Sequence, residues 1–441
     1  MSRVDKRGIA RYNNIMTFER QKRNGYIKPK QYVRWYTADG VRAVTVKRPI
    51  GRTVFILAAV ICGLLIPLIV MLELRTDTAL AEWWTTHIEA GWEKVVGTLT
   101  SWLPFSVTEF FIVCIIGLSV FFYVRLIVNL GRARFKRILT GALSVCVGVV
   151  YLLNLYVLSM AFAYYRAEMP IPQSQKKYDV EELKAVVEYF LADYNNLAVT
   201  LPRDKNGCVE CPYTFSELAE RIKIEYARLT DDYFNQYTPT AKPVVNSWFL
   251  SQMMITGMTF LPTGEATVNT AAPPTTRTIT LAHELAHAKG VFREGDANLL
   301  ARYILISADD DYLRYCGYYY AFDNLLEALA LAESDQLYQE YLYRVDDRVY
   351  IERRFIIEYW NSQWNLLGQI AEFFNNLYLK SNGASNGTGS YEDSNQSSVV
   401  TPTDPSTGLP ERDPETQKPV RIINYSKVQK MFFAVYESRL G

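Results

Sequence analysis

Three long stretches without a charge decide what this chain can fold into. Residues 53–72 (TVFILAAVICGLLIPLIVML), 110–124 and 138–165 contain no Asp, Glu, Lys or Arg. About 20 apolar helical residues cross a bilayer core, and the long stem of Arg125 lets the second stretch extend to the interface. The pattern predicts a multi-pass α-helical anchor, residues 53–165, with three spans at about 53–73, 106–128 and 138–165. The first stretch lies too far from the N-terminus and is too long for a cleavable leader.

The near-neutral total charge of +1 hides an uneven distribution. Residues 1–52 carry fourteen Lys or Arg against three acids, and residues 166–441 carry 26 against 37. The short connector after the second span is basic (Arg132, Arg134, Lys136, Arg137), whereas residues 73–109 hold six acids and only Arg75 and Lys94. Basic connectors stay inside. The N-terminal tail, 1–52, is therefore expected in the cytoplasm, and everything from 166 onward outside it. The tail can attract anionic lipid. It carries no fold motif that would present its charges to a nucleic-acid groove, so no nucleic-acid partner is expected.

Residues 166–441 read as a mainly α, α+β domain. Residues 179–196 have apolar positions at helical spacing behind an acidic first turn, and Thr214–Glu217 (TFSE) has the form of a capping box. β-branched and aromatic residues broken by Gly and Pro between 244 and 269 suggest a small edge sheet. Residues 298–379 and 420–440 again look helical. The stretch 382–419, dominated by Ser, Asn, Gly, Thr and Pro, is too poor in large apolar residues to bury a core and is expected to lack order. Cys208 and Cys211 form one CxxC, read as a short disulfide loop or two thiols in preference to half a metal site.

LAHELAHAKG, residues 281–290, carries the chemistry. Residues four apart share a helix face, so His283 and His287 can turn both imidazoles to one Zn²⁺. Glu284 can reach a water on that metal without binding the metal itself. A catalytic zinc needs a third protein ligand, and the chain has only one other histidine, His87 between the first two spans. A carboxylate is then required. EGDAN, residues 294–298, offers Glu294 in an ExxAN pattern, with Asp296 as the alternative. Gly290 stands where metzincins keep a glycine, but Arg293 occupies the place of their third histidine. Upstream, Glu265 and Asn269 on the strand before the helix are candidates to contact substrate, if that strand pairs with an extended peptide.

Taken together, ITGMTFLPTGEATVN, TLAHELAHAKG, REGDAN and LRYCGY resemble a largely uncharacterised bacterial family assigned as membrane-anchored zinc metallopeptidases. The likeness covers roughly residues 53–380 and the terminal helix. It implies a zincin-like fold, one Zn²⁺ per chain held by His283, His287 and Glu294, and Glu284 as catalytic base. The function expected is hydrolysis of peptide bonds in extracytoplasmic proteins or peptides, from a multi-pass position in the bacterial cytoplasmic membrane. Oxyanion stabilisation needs a further donor, for which Tyr303, Tyr315 and Tyr318 are the nearest in sequence. The alternative is a non-catalytic anchored sensor or scaffold with a structural or vestigial zinc site. A transporter has little support, because the spans bury no charge.

Overall fold

The structure is a computed structural model. It describes residues 51–404, 407, 409–414, 417 and 419–440 in full, and for residues 1–50 only the backbone of regular elements. There β1 (Ile9–Ala10), β2 (Phe18–Arg23), β3 (Tyr26–Thr37) and β4 (Gly40–Thr45) form an antiparallel sheet in which β3 pairs with each of the others. The side chains of the basic tail, and so its expected lipid contacts, lie outside the described residues.

Three helices are long and apolar enough to cross a membrane: Gly51–Leu74, Val107–Gly131 and Phe135–Tyr165. They correspond to α1 (Ile50–Leu74), α4 (Val107–Gly131) and α5 (Phe135–Tyr156), the last continuing through a π turn (Val157–Ala161) and a 3-10 turn (Phe162–Tyr165). Phe55, Ile66, Phe110, Phe121 and Val149 are among the many large apolar side chains left exposed along them, as a lipid-facing surface requires. The acidic connector between the first two spans is itself helical, as α2 (Thr78–Trp84), a π turn (Thr85–Glu89) and α3 (Ala90–Ser101).

The chain forms two compact units, Met1–Leu65 with Phe122–Val150, and Ile66–Phe121 with Tyr151–Gly441. The second unit holds the polar half of the protein. After the third span, α6 (Val180–Thr200) and α7 (Phe215–Tyr226) begin at capping boxes Asp179–Glu182 and Thr214–Glu217, where side chain and backbone satisfy each other's free groups. β5 (Lys242–Pro243) and α8 (Ser247–Gln252) precede the hairpin β6 (Gly257–Phe260) and β7 (Glu265–Val268). The sheet order is β5-β7-β6, with β5 parallel and β6 antiparallel to β7. β7 is thus the central strand, and β6 the edge beside the helix that follows.

That helix is α9 (Pro274–Ala288), followed by α10 (Glu294–Ser307), α11 (Asp311–Ala332), α12 (Asp335–Leu342), α13 (Asp347–Gln363) and α14 (Leu366–Ser381). Leu281, Leu285, Leu300, Leu305, Phe322 and Phe190 interlock in one core. Each such side chain stabilises the fold by about 1.5–3 kcal/mol through burial. The terminal helix α15 (Lys427–Leu440) docks Met431, Phe432 and Phe433 into the same core. Cys208 and Cys211 are both free thiols.

The polar stretch after Asn382 departs from expectation. It opens with a nine-residue 3-10 helix, Gly387–Asn395, that buries Ser390 and Ser394, and β8 (Ser398–Val400) pairs with β9 (Ile422–Asn424). Low apolar content did not prevent ordering, because this segment docks through polar contacts. Asn298 Nδ2 donates to the Tyr391 carbonyl at 2.9 Å, and Arg302 bonds Ser394 and Asn395.

Candidate metal centre

α9 presents both histidines on one face, with ring centroids 4.6 Å apart. Gly290, in the left-handed region at φ +83°, ends the helix, and its N–H and that of Val291 close on the carbonyls of His287 and Ala286. The chain then needs only three residues to start α10 at Glu294. His283, His287 and Glu294 come together with one ligand atom from each lying within 4.8 Å of the others. Glu294 Oε2 is 3.1 Å from His283 Nε2 and 3.6 Å from His287 Nε2. This buried oxygen has those two ring nitrogens as its polar neighbours, and no other group among the described residues bonds it. A zinc with ligand distances of about 2.05 Å places tetrahedral donors about 3.3 Å apart, so the separations and the donor set both fit that ion.

The remaining ring nitrogens fix the tautomers. His287 Nδ1 donates to the Val291 carbonyl at 2.8 Å, which can only accept. His283 Nδ1 lies 2.8 Å from Asn298 Oδ1, which also accepts from the Tyr320 hydroxyl, while the Asn298 amide N–H is committed to Tyr391. Each Nδ1 therefore carries a proton, and each Nε2 faces Glu294, where it would ligate a metal ion once its own proton has left. The Phe292 ring, 5.1 Å from His287, closes the apolar side.

Burial alone would raise the Glu294 carboxyl. The two imidazoles outweigh it and hold the group well below its ordinary value. Glu284 stands apart from the ligand set. It is buried, and burial raises its carboxyl above the ordinary value against the pull of His287 and His283. The Thr259 hydroxyl of β6 contacts Glu284 Oε2 at 2.8 Å. Gly257 makes room for it, since a Cβ there would lie 2.6 Å from Glu284 Oε1.

The other expected site residues have different work. Asp296 pairs with Arg293 at 2.8 Å and Lys427 at 3.4 Å, which turns it out of the cluster. Glu265, expected to meet substrate, is instead buried in the frame of the domain. It lies on the central strand, bonded to Lys242 at 2.6 Å and to the backbone N–H groups of Val107 and Thr108. It is the anion at the N-terminus of the second span, where free N–H groups and the helix dipole favour one. Asn269 is fully buried between Ser251 and the Ile255 carbonyl. Tyr315 donates to Glu352 and Tyr318 to Asp193, and Tyr303 interacts with Ser307. Tyr164, Tyr320, Tyr378 and Tyr391 are the aromatic hydroxyls that feel Glu294 electrostatically. The Tyr391 ring lies 6.2 Å from that of His283. Burial keeps its phenol protonated, so it remains a donor. Asn298 was legible in principle, four residues after Glu294 on the same helix face. Tyr391 had no local signal.

Residues 84–395 match the family model described as a protein of unknown function, DUF3810. The chain belongs to the DUF3810 family. The matched region runs from the last residue of α2 to the end of the 3-10 helix, and so includes His283, His287, Glu294 and Tyr391. The first span, the N-terminal sheet and α15 fall outside it. No curated protein and no solved structure matches this chain.

Proposed function

We propose that this DUF3810 protein is a membrane-anchored zinc metallopeptidase acting on extracytoplasmic proteins or peptides. The observation that carries the reading is the His283–His287–Glu294 cluster, with a buried carboxylate oxygen facing both ring nitrogens and a separate carboxylate, Glu284, beside it. A purely structural site has no need of that second acid. The asymmetry of the basic residues supports a cytoplasmic N-terminus in a bacterial cytoplasmic membrane, with the metal centre on the opposite side.

His283, His287 and Glu294 would hold the ion. Zinc, when bound in such a site, supplies Lewis acidity, polarising a carbonyl and lowering the pKa of water towards about 7. Glu284, buried beside the cluster and outside it, would accept a proton from the attacking water and return it to the leaving amine. Thr259 holds the Glu284 carboxylate in place. Tyr391, protonated and close to His283, is the donor best placed to meet charge developing on the substrate oxygen.

The test is metal content of the full-length protein purified in detergent. About one zinc per chain is expected, lost in His287→Ala and retained in Glu284→Gln, with peptide cleavage present only in the wild type. A folded, zinc-supplied protein without bound zinc would refute the reading, and zinc without Glu284-dependent cleavage would leave the anchored scaffold in its place.

A further inference from the structure

The polar domain is fastened to the ends of the spans at several points. Arg75, one residue past the first span, donates to Asn382 Oδ1 and to the Ser381 carbonyl at the end of α14. Tyr156, in the third span, donates to the same Asn382 oxygen at 2.5 Å. Glu109, at the start of the second, accepts the Val245 and Asn246 N–H groups that lead into α8, each at 2.9 Å. Asn365, which caps α14, bonds the Gln252 carbonyl at the far end of α8. α14 is therefore tied to all three span ends, directly at its C-terminus and through α8 at its N-terminus.

Leu366, Leu367, Ile370, Phe373, Phe374 and Leu377 lie at helical spacing along one face of α14, and all are exposed. Trp92, Val95, Leu99 and Trp102 form a similar exposed row on and just beyond α3, between the first two spans. Amphipathic helices with such faces lie in the headgroup–acyl boundary, and tryptophan concentrates there. These helices continue the lipid-facing surface of the spans onto the domain.

β6 ends at that boundary. Among the described residues no further strand pairs with its outer edge. Thr259 grips Glu284, and the next residue, Phe260, packs its ring 5.6 Å from Phe111, just inside the second span. The following carbonyl, Leu261, accepts from the Trp92 indole at 3.1 Å. A peptide added to this edge would pass Glu284 and reach lipid within about 10 Å, three residues of extended chain at ~3.3 Å each.

Building on the peptidase reading, we propose that the substrate is a polypeptide anchored in the same bilayer, paired along β6 and cut within about five residues of its membrane boundary. The fixed domain measures that distance. A soluble peptide can enter the same edge but has no anchor to raise its local concentration or set its register.

The experiment uses the full-length, zinc-loaded protein in phosphatidylethanolamine–phosphatidylglycerol vesicles. The probes are mixed-sequence dodecapeptides in three forms, one with an N-terminal palmitoyl chain, one with a C-terminal palmitoylated lysine, and one unmodified. Cleaved bonds are read by mass spectrometry against Glu284→Gln. Cleavage of one anchored form at least tenfold faster than the free form, with cuts clustered within five residues of the anchor, is the expected result. Equal rates, or cuts scattered without regard to the anchor, would overturn the proposal and leave the peptidase reading standing. No Glu284-dependent cleavage of any form would remove both.

Discussion

Asn298→Ala tests whether the metal centre is oriented as described. The side chain accepts from His283 Nδ1 and from the Tyr320 hydroxyl, and it donates to the Tyr391 carbonyl. Truncation frees His283 to rotate or switch tautomer. Loss of such an orienting partner typically weakens metal binding 10–100-fold, about 1.4–2.7 kcal/mol. It also strands buried polar groups, each at a stability cost of about 1–3 kcal/mol. Zinc affinity is measured by chelator competition on the full-length protein in detergent, with thermal unfolding in parallel. Asn298→Asp is the informative companion, because it keeps the acceptor for His283 and Tyr320 while it loses the donation to Tyr391 and adds a negative charge. Its zinc affinity is expected to stay in the wild-type decade while Asn298→Ala falls by one to two. Wild-type affinity in a folded Asn298→Ala protein, or equal losses in both variants, would refute the assignment of Asn298 as the group that sets His283.

Two further outcomes concern the frame around the site. Glu265→Ala leaves the Lys242 ammonium buried and opens the N-terminus of the second span, so it is expected to destabilise the protein by about 3–5 kcal/mol. A loss below about 1 kcal/mol in thermal unfolding would show that this clamp is dispensable. Glu89, buried on the π turn between the first two spans, has its carboxyl raised by burial to about 8, against the opposing pull of Thr85 and Arg166. The folded protein keeps that proton where the unfolded chain has lost it, so this contribution is complete below pH about 4.5 and is lost as pH rises to about 8. The slope is up to about 1.4 kcal/mol per pH unit, on the order of 4–5 kcal/mol in all. Glu89→Gln is expected to flatten the fall in melting temperature across that range, and parallel curves for the two proteins would contradict the account.

Local rules made much of the structure legible. The capping boxes at Asp179 and Thr214 open helices because their partners lie within one turn. The uncharged runs become long helices because a bilayer leaves the backbone no other way to satisfy itself. The HExxH spacing puts His283 and His287 on one face for the same local reason. The burial of Glu265 and Asn269 was not legible, because nothing in the hairpin sequence says which strand is central. Lys242 and Pro243, some twenty residues upstream, take the outer side of β7 and leave β6 as the edge. Within the stretch 382–419 the 3-10 helix at 387–395 was not legible, because composition reports the core a segment could build alone, not one it can dock against.

Hydrophobicity and spacing alone were enough to show three helices able to span a membrane, a polar domain after them, and His283 and His287 on one helical face with Glu284 next to the first. Those depend on hydrophobicity and on a repeat of 3.6 residues, both of which act over a few neighbours. Only the tertiary structure decided that Glu294 and not Asp296 faces the histidines, that Asn298 orients one of them, and that Tyr391, more than a hundred residues away, stands over His283. It also decided that the edge strand ends against the second span. Each of these is a choice between partners of similar chemistry, and the choice is made by where distant segments can pack together, which no local pattern encodes.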